Sequence, residues 1–85
     1  MNDEEIIKAL RDASRTRSPH ELAILLSELR AEPISQGAII TFFRRAFPAV
    51  PLRTLLDAGA WHRVSSGGMA DEEFDALLRP YFDGS

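Results

Sequence analysis

The chain contains no cysteine. That excludes disulfides, a thiolate nucleophile and every cysteine-ligated zinc or iron-sulfur site, and it is compatible with a reducing compartment. Lysine is nearly as scarce: Lys8 is the single example, and the other nine of the ten cationic residues are arginine. The positive charge therefore comes as planar, permanently ionised forks suited to carboxylate or phosphate pairing. The two histidines, His20 and His62, do not fall one helical turn apart, so they lack the spacing of a helical metal site, and no metal or other cofactor is expected. No apolar run approaches the length that spans a membrane. The opening MNDEEIIKAL is acidic and amphipathic, where a secretory signal is basic and then continuously apolar, so a soluble cytoplasmic protein is expected.

What is present is enough for one core. Of the 85 residues, 45% are hydrophobic and 27% charged, which fits a single globular domain over 1–85 and argues against a disordered chain. The net charge of -3 is unevenly spread. Residues 1–32 hold seven acids and five bases; residues 33–66 hold Arg44, Arg45, Arg53 and Arg63 against Asp57; residues 67–85 hold five acids and Arg79. The middle is basic and the end acidic.

Periodicity and capping signals predict five helices, at about 3–15, 19–31, 36–47, 51–58 and 71–79. Asn2 is placed as the first N-cap with Glu5 reaching back, and Ile6, Ile7, Leu10 and Ala13 share one face. SPHE reads as a second start, with Ser18 as cap, Pro19 in the first turn and Glu21 closing the capping box. Leu22, Leu25, Leu26 and Leu29 form that helix's expected core face, with Ile24 roughly opposite. Pro33 ends it and Ser35 caps the third helix. There, at about 100° per residue, Ile39, Ile40, Phe42, Phe43, Ala46 and Phe47 face the core, while Thr41, Arg44 and Arg45 fall opposite.

Pro48 and Pro51 bracket the start of a fourth helix, with Leu52, Leu55 and Leu56 expected inward and Gly59 as a left-handed stop. Trp61 then folds back as a structural residue. HRVSSGG reads as the loop, and WHRV forms a strand only if it finds a partner, of which the sequence shows none. Asp71, Glu72 and Glu73 favour a helix start, Phe74, Leu77 and Leu78 its buried stripe, and Pro80 its end or a kink, leaving Tyr81 and Phe82 to pack as a C-terminal clasp. The fold class is all-α, a compact bundle of five to six short helices.

No motif names a reaction. Asp57, His62 and Ser65 supply the residue types of a nucleophilic triad within nine positions, but a triad needs a geometry and an oxyanion hole that the sequence does not show, and a capped helix followed by a polar loop accounts for them, so no catalytic residue is assigned. DEEFD lacks the ligand spacing of a calcium loop, and SSGG lacks the lysine of a phosphate loop. The charge layout favours protein binding. Arg44, Arg45, Arg53 and Arg63 form a basic set, and Asp71, Glu72, Glu73 and Asp75 an acidic one, which permits association with a second copy or a related helical domain. A helix-turn-helix reading places Gln36, Thr41, Arg44 and Arg45 on a recognition helix, but the domain is acidic overall and few phosphates would be neutralised. A small inhibitor or immunity protein also has this size and acidity. No small-molecule ligand and no membrane partner are indicated.

In size, helix content and lack of catalytic residues, and in FPAVPLRTLLDAGAW followed by ADEEFDALLRPYF, the chain resembles the helical adaptor modules of the death-fold type, including effector-associated domains of bacterial conflict systems. Those modules usually have six helices; five are counted here, with room for a further turn over 60–64. The resemblance implies a bacterial-defence setting and homotypic association through charged helix surfaces. It transfers no individual residue.

Overall fold

The computed structural model describes residues 2–64 and 68–82. Five α-helices run in order: α1 (Asp3–Ala13), α2 (Pro19–Arg30), α3 (Gln36–Ala46), α4 (Leu52–Asp57) and α5 (Asp71–Phe82), with a single 3₁₀ turn, Ala58–Ala60, directly after α4. The all-α bundle expected from periodicity is what forms, and the 3₁₀ turn lies just before the place where an extra turn was anticipated.

The first three helices begin where side chains engage the amide groups of the first turn. Asn2 Oδ1 accepts the Glu5 N–H at 2.9 Å. Glu21 accepts both the N–H and the hydroxyl of Ser18, at 3.0 and 2.8 Å, and these bonds hold its carboxyl below the usual carboxylate range. Ser35 Oγ accepts the Ala38 N–H at 3.2 Å. The end of α2 uses a less obvious device. Ala31 takes a left-handed conformation (φ 54°, ψ 38°), and the next N–H, that of Glu32, returns to the Ser27 carbonyl at 3.2 Å. This is the closure normally given to glycine, here carried by a residue with a Cβ.

Packing is a chain of neighbours: α1 lies on α2 and α3, α2 on α5, and α3 on α4. At the centre, Leu10, Leu22, Phe43, Leu55, Phe74 and Leu78 are fully buried. Phe43 meets Phe47 and Phe82 edge-on, each with ring centroids 5.7 Å apart, while Phe47 stacks on Phe82 at 4.1 Å. The phenylalanines of α3 are thus core, and Thr41, Arg44 and Arg45 lie on its exposed side. On α2 the buried face is Leu22, Ala23 and Leu26, with Leu25 and Leu29 only partly buried against it.

Four expectations change. Of the α4 leucines, Leu55 is buried, but Leu52 and Leu56 are 43% and 50% exposed; α4 rests mainly on α3, with Leu55 on the side turned to the core. Gly59 is no left-handed stop, since Gly68 is the one described glycine with positive φ (86°). A Cβ at Gly59 would overlap the Gln36 side-chain amide, which donates to the Leu56 carbonyl at 3.3 Å and would have to swing aside. α5 runs through Pro80 to Phe82. The carbonyl left without a donor belongs to Ala76, which is exposed and can turn to water, while stacking of Phe82 on Phe47 rewards continuation. Finally, WHRV does find a partner. Trp61 forms an isolated parallel bridge with Met69, through His62 N–H to the Met69 carbonyl (2.9 Å) and Met69 N–H to the Ala60 carbonyl (3.0 Å). No longer strand exists among the described residues.

Candidate interaction surface

The eight charged residues singled out in the sequence separate into those used to build the fold and those left facing solvent. Asp71 belongs to the first group. It stands in the first turn of α5 and accepts from Trp61 Nε1 (2.8 Å), His62 Nε2 (2.9 Å), Arg63 Nε (3.1 Å) and, through its second oxygen, Arg63 Nη2 (3.1 Å). One carboxylate therefore ties the chain before the loop to the helix after it. The forked Arg63 guanidinium is the main cause, with the Trp61 and His62 bonds adding to it, that holds the Asp71 carboxyl far below the ordinary carboxylate range. Trp61 itself is fully buried and stacks on Phe74 at 4.1 Å, which bears out its structural role. The basic and acidic sets are thus not separate, since Arg63 and Asp71 pair with each other.

Asp75, one turn further on, is also engaged. It accepts the His20 backbone N–H at 2.7 Å and His20 Nδ1 at 2.8 Å, joining the start of α2 to α5. Because a carboxylate only accepts, His20 carries a proton on Nδ1. Ser18 Oγ lies 3.0 Å from the same nitrogen. A serine-histidine-aspartate relay needs the serine and the acid on opposite ring nitrogens, so this trio is not arranged for one. The other trio does not assemble either: the acid that meets His62 is Asp71, not Asp57, and Ser65 lies outside the described residues. Among the described residues no group of three or more histidine, aspartate and glutamate side chains is placed to hold a metal.

Arg11 is a structural cation that the sequence did not reveal. From α1 its Nε and Nη2 donate to the Ala46 and Arg45 carbonyls, both at 2.9 Å, closing the C-terminal end of α3 where the helix dipole favours positive charge. Only the packing of α1 on α3 reveals this pairing, for the residues are 35 positions apart.

On the solvent side remain Arg44, Arg45, Arg53, Glu72 and Glu73, all exposed. Arg45 has one long contact, 3.9 Å, to Asp3, and Glu73 accepts the Ala70 N–H at 3.3 Å. Beside Arg53 on α4 stand Leu52 and Leu56, the large hydrophobics that are exposed among the described residues. A shallow groove between α2 and α3 is lined by Leu26, Arg30, Ile34 and Ile39 among others. It is too tight for even a water molecule, and Arg30 spans its neighbourhood by lying 5.2 Å over the Phe42 ring and pairing with Glu32 at 2.9 Å.

No protein-family model, curated protein or solved structure matches the chain. No helix of the described residues is long and apolar enough to cross a membrane.

Proposed function

We propose that the chain is a non-enzymatic protein-interaction module, an adaptor that associates with a second copy or a related helical domain. The observation that carries this reading is the pair of exposed leucines, Leu52 and Leu56, on the same short helix as Arg53 and following directly on the Arg44 and Arg45 end of α3. In so small a domain, large apolar side chains left in water beside arginines have the composition of a contact surface. With Arg63, Asp71 and Asp75 occupied within the fold, the residues assigned to partner contact are Arg44, Arg45 and Arg53, with Glu72 and Glu73 as acidic counterparts.

The helix-turn-helix alternative draws less support. A helix-turn-helix unit packs its two helices on each other, whereas α3 makes its main contacts with α1 and α4, and α2 with α1 and α5. The net charge of -3 also opposes approach to a phosphate backbone. No residue speaks for an inhibitor or immunity role.

Light scattering with size-exclusion chromatography, at low and high salt and over a range of protein concentrations, tests the proposal. Self-association that weakens with salt and on Arg44→Glu supports it. A monomer at every concentration that instead binds duplex DNA overturns it.

A further inference from the structure

α4 presents a face that is complementary to itself. Leu52 and Leu56 are four residues apart, so they lie within about 40° of each other around the helix. Each is followed by a charge of opposite sign, Arg53 after Leu52 and Asp57 after Leu56, and both charges are exposed. At about 100° per residue the two charges fall on the same flank of the leucine pair. Neither makes an ion pair within the described part of the chain.

The consequence is geometric. When two copies of a helix meet face to face and antiparallel, like flanks lie against each other; when they meet in parallel, opposite flanks do. Antiparallel contact of Leu52 with Leu56 of a second copy brings Arg53 of each copy alongside Asp57 of the other. The register that aligns the leucines and the register that aligns the charges differ by two residues, about 3 Å along the axis, well within the reach of an arginine side chain. A purely acidic partner would meet Arg53 favourably and Asp57 unfavourably. A mixed face calls for the same mixed face reversed.

We infer that α4 is the contact between two copies of this chain, related by a two-fold axis with their α4 helices antiparallel. This rests on the reading of the chain as an interaction module and names the surface and the partner. The Gln36 bond to the Leu56 carbonyl holds α4 against α3, so the leucines are presented on a fixed support. Two helices about 9 Å long bury little area, which places the dimer in the weak, concentration-dependent class.

Sedimentation velocity up to about 1 mM, where weak association becomes visible, decides the matter. The wild-type chain should shift from monomer to dimer with concentration. Leu56→Glu, at an exposed position and checked for helix content by circular dichroism, should weaken the dimer at least tenfold. Arg53→Asp and Asp57→Arg should each weaken it alone, and mixing the two variants should restore association as a heterodimer, because one then carries two acids and the other two bases. A wild-type chain that stays monomeric at the highest concentration, or a mixture no stronger than its components, overturns the inference. Association lost on Arg44→Glu but unchanged in Leu56→Glu also overturns it, while leaving the interaction module standing.

Discussion

Replacing Asp71 tests the link between the charged residues and the fold. Trp61 is fully buried and its indole N–H has Asp71 as its acceptor. Asp71→Ala leaves that donor unpaired in the interior, which costs about 1–3 kcal/mol. Loss of a negative charge from the first turn of α5 removes about 0.3–1 kcal/mol more. The pairs with His62 and Arg63 add little, since those side chains are 46% and 40% exposed and water screens such contacts. The sum is about 1.3–4 kcal/mol. Asp71→Asn retains an oxygen that can accept from the indole, so it should lose only the charge-dependent part, about 1 kcal/mol. Urea unfolding followed by the fluorescence of Trp61, the single tryptophan, measures both. The folded carboxyl titrates below its unfolded value of about 3.9, so its contribution is complete above that pH and is lost as pH falls through the depressed value. Asp71→Asn should therefore flatten the acid side of the stability profile. Equal stabilities for the alanine and asparagine variants, or an alanine variant within about 0.5 kcal/mol of wild type, a change ordinary for unconstrained surface sites, would refute the reasoning.

Substitutions at four further positions test other parts of the fold in the same urea assay. Phe43→Ala should destabilise by about 3 kcal/mol because it empties the ring cluster with Phe47 and Phe82, whereas Arg45→Ala should change stability by less than about 0.5 kcal/mol; similar values would invert the assignment of the two faces of α3. Ala31→Gly should stabilise by about 0.5–1 kcal/mol, since it removes the Cβ from an exposed left-handed position, and a loss of stability would contradict this. Arg11→Ala should cost about 1 kcal/mol by uncapping α3, with Arg11→Lys failing to restore it because one ammonium does not reproduce the two-point fork.

The sequence disclosed most about elements whose signals are local. The Ser18-Pro19-Glu21 start, the Asn2 and Ser35 caps and the division of α3 into an aromatic face and an arginine face each depend on residues within one or two turns. What stayed hidden depends on partners distant along the chain. α4 has three leucines within about 100° of arc, and the way it leans on α3 leaves Leu55 buried and Leu52 and Leu56 exposed. Pro80 looks like a stop until the stacking of Phe82 on Phe47 supplies a reason for α5 to continue. Arg63 and Asp71 looked like members of opposed surfaces because nothing local shows that Trp61 bridges to Met69 and brings Arg63 beside the start of α5. The proposed interaction site was legible as residue types, and the fold then sorted which of those residues remain in solvent.

The association state of the chain tests the central claim most directly. Sedimentation velocity of wild type and Leu56→Glu, side by side over the same concentration series, should show a dimer forming in the first and at least tenfold less in the second, with both equally helical. Two identical series, whether both monomeric or both dimeric, would contradict the assignment of α4 as the surface through which this domain acts.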